Sequence, residues 1–384
     1  MDNSKYGTPS QEWRDYDAAH PDLHINDEGK HDFPHFASPA ALRDAINAER
    51  LKASLAGLRE SGLDKQVAIT THAVPVRDGT TIPLRAYRPP GPDPPAPLPT
   101  YLFFHGGGML FGTPEGEDLG AAACVAALRD ALPSLSPAGL AVLSVCYRHT
   151  PEHVFPTQAD DVWDAFEWVH AHAAALGVDA AAVVVGGISA GGSLTAGLVF
   201  RELTLARRER RRLRLRGQLL GIPWLVHRDA FPYELFASRD SCSLVQCADA
   251  PILPKERYDM FTDLLKVPDP REPLMNVGLA GDEALRGMPR TVLMVNGWDM
   301  LRDEAFLFAR KIESLGVPTK KHLFPGLPHA FRKYPDLLSS DRWNQVMFDS
   351  LLWILDEQAP SDREGVWEIE VPEKYREADA QYFV

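Results

Sequence analysis

Residues 183–200 read VVVGGISAGGSLTAGLVF, and this stretch narrows the fold more than any other. A valine run with the character of a buried strand meets two glycines, a serine, two more glycines and then helix-compatible residues. Gly187-Ile188-Ser189-Ala190-Gly191 follows the pattern G-x-S-x-G, a sharp strand-to-helix turn with the serine at its apex. The residue at that apex is held in strained backbone geometry. The flanking elements come so close that the positions two before and two after the serine cannot carry a Cβ. The turn exposes Oγ beside the free N–H groups that begin a helix.

A serine hydroxyl is a poor nucleophile until a base takes its proton, so the stretch asks for a histidine and an acid elsewhere. Thirteen histidines compete. His170 and His172 fall in a helical stretch and His322 in a strand run. His329, in FPGLPHAF, follows the last strand on a loop framed by proline and glycine. Asp299, in VLMVNGWDMLRDE, follows the strand before it. Asp303 and Glu304 belong instead to the first turn of the next helix, where a dipole or capping role accounts for them. Asp299 and His329 both sit at the carboxyl ends of strands, where open parallel sheets bind ligands. The chain order Ser189, Asp299, His329 is the order of one hydrolase fold. A second glycine cluster, FFHGGGML from Phe103, also follows a strand. It lacks the phosphate-loop patterns. It suits a set of backbone donors for an oxyanion.

Short apolar runs occur at Tyr101–Phe104, Ala141–Tyr147, Ala182–Val185, Gln218–Ile222, Thr291–Val295 and Lys320–Phe324. Helical segments separate several of them. One begins at Thr157, with Asp160 three residues on as in a capping box, and puts Val162, Phe166 and Val169 on one face. The alternation predicts an α/β fold with a mainly parallel sheet covered on both faces. Asp78-Gly79 joins two earlier runs as a hairpin and predicts an antiparallel edge. Pro89–Pro99 is too proline-rich for regular structure and reads as an exposed linker. Two regions break the rhythm. Residues 1–62 contain a polar lead-in and one helix over Pro39–Glu60, and residues 226–285 are irregular but too apolar for disorder.

The net charge of −13 disfavours nucleic acid as a partner. No apolar stretch approaches the ~20 residues of a membrane span, and the polar N-terminus has no secretory h-region, so a cytoplasmic protein is expected. Cys124, Cys146, Cys242 and Cys247 form no zinc or disulfide pattern. Neither a metal nor an organic cofactor is implied. Seven arginines and one glutamate in Arg207–Arg216 read as the exposed end of the helix that follows Ser189, where cations suit the dipole, rather than as a polyanion patch.

HGGG (His105–Gly108), YRHTPEHVFP (Tyr147–Pro156), GISAGG (Gly187–Gly192), WDMLRDE (Trp298–Glu304) and PHAF (Pro328–Phe331) stand in this order. Together they resemble the hormone-sensitive-lipase-like esterases of the α/β-hydrolase fold, from about residue 68 to 355. The resemblance implies a sheet of about eight strands, with a catalytic core over 66–225 and 286–358. It implies a cap built from 1–65 and the insertion 226–285, leaving 359–384 as a tail beyond the match. It also implies that the N–H groups of Gly107, Gly108 and Ala190 form the oxyanion hole, with His105 bracing the loop. Members often have an acid at Ile188, RLAPEH for RHTPEH and DPLRDE for DMLRDE. These departures leave the triad intact and bear on subfamily and substrate.

The expected activity is hydrolysis of a carboxylic ester of a small or medium apolar molecule by Ser189, His329 and Asp299. Met109, Phe111 and Trp224 are the expected pocket residues. The same machinery suits a lactone, thioester or amide, or a biosynthetic step in which an internal nucleophile replaces water. A receptor on this fold is the alternative from another class.

Overall fold

The computed structural model describes residues 1–21, 37–91, 96–129, 131, 139–356, 358–361 and 365–383. Its nine strands are β1 (Ala68–Pro75), β2 (Thr81–Arg88), β3 (Leu98–Phe104), β4 (Ala141–Val145), β5 (Val178–Ile188), β6 (Gly217–Gly221), β7 (Arg290–Trp298), β8 (Thr319–Pro328) and β9 (Glu368–Ile369). They form one sheet in the order β1-β2-β4-β3-β5-β6-β7-β8-β9. The expected hairpin is the antiparallel pair β1–β2, and β2 also runs antiparallel to β4. From β4 to β9 every pairing is parallel.

Strands β3, β4 and β6 are buried along their whole length, as continuous apolar runs in a doubly covered parallel sheet require. Helices α4 (Thr157–Ala171), α5 (Ala173–Leu176), α6 (Ala190–Glu209) and α10 (Arg302–Ser314) pack on one face. Helices α3 (Asp118–Ala127) and α11 (Leu338–Leu355) pack on the other. The irregular stretch 226–285 contributes α7 (Ser243–Gln246), α8 (Lys255–Leu265) and α9 (Asp282–Leu285), with Phe231, Phe236, Tyr258 and Phe261 joining the first core.

Helix α2 spans Pro39–Glu60 as expected, with Ser38 Oγ accepting from the N–H of Ala41. The polar lead-in also holds a helix, α1 (Gln11–Ala19), capped by Ser10 and anchored by buried Glu12 and Trp13. Residues 22–36 lie outside the described residues.

Several expectations need correction. The proline-rich stretch enters the sheet at Leu98, with Pro99 inside β3; residues 92–95 lie outside the described residues. Helix α4 has no side-chain cap: its N-cap residue is Pro156, which has no polar side chain, and the Asp160 carboxylate pairs with Arg77 and Arg201. The arginine run is only partly solvated. The chain turns back at left-handed Arg210, so Arg211 and Arg214 reach Glu202, which is fully buried. The ninth strand comes from the tail, whose Tyr382 hydroxyl donates to the Thr8 carbonyl at 2.5 Å. That bond ties the two ends of the chain together.

Candidate active site

Ser189 lies between β5 and α6 with φ 57° and ψ −115°, the strained apex the motif demands. A Cβ on Gly187 would sit 2.3 Å from the Gly191 carbonyl carbon, and one on Gly191 would sit 2.0 Å from Phe104 O. Both glycines are therefore required by close backbone approach. The Ser189 N–H donates to Gly221 O at 2.8 Å, and Ser189 O accepts from Trp224 N at 3.3 Å. These bonds fix the turn to the end of β6.

Parallel pairing of β5, β6, β7 and β8 carries three distant loops to one end of the sheet. His329 Nε2 stands 2.9 Å from Ser189 Oγ, and His329 Nδ1 stands 2.7 Å from Asp299 Oδ2. The carboxylate can only accept, so Nδ1 carries the hydrogen and Nε2 turns its lone pair to the serine hydroxyl. Asp299 is 1% exposed and His329 6%. Asp299 Oδ1 also accepts from Leu301 N at 2.9 Å, and Asn296 Nδ2 donates to Pro328 O at 2.8 Å just before His329. Asp299 and the chain just before His329 are thus each anchored by a neighbour. Of the other histidines, His170 is used up by the carbonyls of Phe166 and Arg214, and His322 binds Glu370 at 2.8 Å.

The glycine loop after β3 lies against the serine turn. A Cβ on Gly106 would be 3.5 Å from the Ser189 Cβ. Gly107, Gly108 and Met109 all have positive φ (137°, 60° and 57°). Gly107 O accepts from Leu110 N and Phe111 N, while among the described residues no acceptor takes the N–H of Gly107 or Gly108. Ala190 opens α6, so its N–H has no intrahelical acceptor. The loop is held from three sides. Tyr147 Oη donates to His105 O at 2.8 Å, Arg50 Nη1 donates to Gly106 O at 3.1 Å, and Met109 O accepts from Thr150 N at 2.9 Å.

Met109 and Phe111 are buried at the end of this loop, and Trp224 is buried beside the serine turn. The Phe111 ring meets Phe261 edge-on at 5.5 Å, and Trp224 meets Tyr258 at 5.4 Å. The sequence reading missed both partners on α8. It missed Arg50 of α2 as well, and Asn47, whose Oδ1 accepts from Gly112 N at 2.8 Å. No local signal marks any of them, because only the tertiary fold brings them to the loop. Gly108 shows how closely α8 approaches: a Cβ there would lie 2.3 Å from the Phe261 ring.

Asp303 and Glu304 do fall in the first turn of α10, but neither caps it. Asp303 pairs with buried Arg302 at 2.9 Å and accepts from Ser243 N at 2.7 Å. Glu304 accepts from Leu225 N, its other oxygen has no partner, and burial pushes its carboxyl well above the usual range, with Asp299 adding to the effect. An acid whose pKa is raised by folding makes the native state hold the extra proton, so stability falls as pH rises above the ordinary carboxyl range. In that window the expected slope is about 1.4 kcal/mol per pH unit. Urea unfolding of the wild type and Glu304→Gln between pH 5 and 8 should show the wild-type curve dropping relative to the variant. Parallel curves would refute the assignment.

A family model described as alpha/beta hydrolase fold matches residues 101–333. The ethyl acetate hydrolase of Pseudomonas putida is 29% identical over 310 residues, 80% of this chain and 90% of the relative. Esterase LipI of Mycobacterium tuberculosis is 32% identical over 303 residues, 77% of this chain and 83% of the relative. Among solved structures, vibralactone cyclase superposes with a TM-score of 0.78 at 25% identity, covering 92% of this chain and 96% of its own. Among the described residues no helix is long and apolar enough to cross a membrane.

Proposed function

The chain belongs to the α/β-hydrolase fold family and is a carboxylic ester hydrolase, and from that premise we propose that Ser189, His329 and Asp299 are its catalytic triad. The observation that carries this reading is the unbroken chain of short contacts from Asp299 through His329 to Ser189 Oγ. His329 Nε2 takes the Ser189 proton as Oγ attacks the ester carbonyl. The N–H groups of Gly107, Gly108 and Ala190 receive the negative charge that develops on the carbonyl oxygen. Asp299 holds the imidazole tautomer and stabilises the imidazolium. His329 returns the proton to the departing alcohol. Water then attacks the acyl-enzyme with His329 as base, and Ser189 is freed.

The buried aromatic surroundings of Met109, Phe111 and Trp224 support a small or medium apolar acyl or alcohol group. All four cysteines are free, which suits a cytoplasmic setting.

The likeness to vibralactone cyclase favours one second reading, in which an internal nucleophile of the substrate replaces water on the acyl-enzyme. Treatment with a fluorophosphonate followed by intact mass is the test of the triad. One adduct is expected on the wild type and none on Ser189→Ala; an unmodified wild type would overturn the proposal. Product masses from a panel of esters separate the two readings. Hydrolysis adds one water to the substrate atoms, and cyclisation adds none.

A further inference from the structure

The geometry points to a second site beneath the glycine loop, where His105, Cys146 and His149 bind a zinc-class d10 metal ion. Phe104 and Val145, the last residues of β3 and β4, are register partners, so His105 and Cys146 leave the sheet side by side. His149 follows three residues on, and its ring lies 5.3 Å from that of His105. Donor atoms of the three side chains all lie within 4.8 Å of one another.

Two of these donors are otherwise unexplained. The His105 ring is 0% exposed, and its Nδ1 lies 3.2 Å from Gly106 O, which can only accept. The hydrogen is therefore on Nδ1, leaving a lone pair on Nε2, and that atom has no partner. His149 Nε2 is likewise buried without a partner. An orphaned buried polar atom is costly, so two on rings 5.3 Å apart call for a ligand. Burial keeps both imidazoles uncharged at neutral pH, with His149 lowered to about 4.

Two neutral imidazoles and a thiol are a borderline-soft donor set, suited to Zn²⁺ rather than to Mg²⁺ or Ca²⁺. Bond lengths of about 2.0–2.3 Å put ligands on a tetrahedral ion about 3.3–3.8 Å apart, so side-chain rotations of ~1 Å would close the site. The thiol proton leaves on binding, and one thiolate–metal bond replaces the S–H bond. Burial, with Glu115, Glu117 and Asp161 nearby, pushes the free thiol up to about 12. A bound cation reverses that penalty, and the same acids offset the repulsion it meets from Arg43 and Arg50 near His149. His149 and Cys146 are partly exposed. Zinc-spacing rules miss the set because His105 is 41 residues before Cys146 in the chain.

Co²⁺ and Zn²⁺ titrations of the untagged chain test the inference. Cobalt should give a thiolate charge-transfer band at one ion per chain, absent in Cys146→Ser. The affinity for Zn²⁺, read by competition with a chromogenic chelator, should fall ~10-fold or more in Cys146→Ser and in His149→Leu. Zn²⁺ should raise the wild-type Tm, since it binds only the folded chain, and should raise that of Cys146→Ser by less at the same concentration. A flat wild-type titration overturns the site, and so does a cobalt band that survives in Cys146→Ser. None of these readouts involves ester turnover, so the result stands apart from the assignment of the triad.

Discussion

Ser189→Ala should lower kcat for an ester substrate by about 10⁴–10⁶-fold, leaving only the residual rate of the pocket and the oxyanion donors. The size of the loss follows from the geometry. Ser189 Oγ is the atom at 2.9 Å from His329 Nε2, and the turn that presents it is paid for in backbone strain. Alanine keeps the turn, because its Cβ is the serine Cβ without the hydroxyl. The packing of Gly187 against Gly191 is untouched, and Tm should stay within a few degrees of the wild type. Initial rates on a chromogenic ester, with a thermal melt of the same preparation, check both halves. Near-full activity in Ser189→Ala would assign the chemistry to another nucleophile.

Asp299→Asn should cost about 10⁴ in kcat with little effect on KM. The carboxylate Oδ2 accepts from His329 Nδ1 at 2.7 Å and so keeps the Nε2 lone pair directed at the serine. An amide nitrogen at that position donates instead. The hydrogen then moves to Nε2, and the imidazole can no longer accept the Ser189 proton. Asparagine retains an oxygen for the Leu301 N–H, so the loop after β7 has a reason to stay in place. The labelling rate with a fluorophosphonate should fall alongside kcat, which a purely structural role for Asp299 would not produce in a variant that melts normally. A drop in Tm with an unchanged rate per folded molecule would place Asp299 in the scaffold instead.

Much of the site was legible because its requirements are local. A serine turn between a strand and a helix needs glycine at 187 and 191, and the backbone contacts of both positions are the reason. Asp299 and His329 each directly follow a strand run, and a parallel sheet collects such positions at one end. Helix α2 was legible as Pro39–Glu60 from its helix-compatible stretch. Where the reading failed, a distant partner had outweighed the local signal. Asp160 looked like part of a cap, but Arg77 and Arg201 claim its carboxylate. Asp303 and Glu304 do open α10, as read, but the capping role is absent: one pairs with Arg302 and the other holds Leu225 N. Pro99 looked like linker, but it lies within β3.

By itself the sequence determined the α/β class and supplied the candidates for the nucleophile, its acid and its base. These rest on side-chain periodicity and short-range sterics, which act over a few residues. Only the tertiary structure decided which histidine meets which serine across 140 residues, because that depends on sheet order. The same holds for the support of the glycine loop by Arg50 and Phe261, and for the tail that adds β9 and binds Thr8. It holds also for the meeting of His105 with Cys146, which follows from the pairing of β3 with β4. Apart from the β1–β2 hairpin, which Asp78-Gly79 marks locally, strand pairing here is a long-range choice set by burial of the whole sheet.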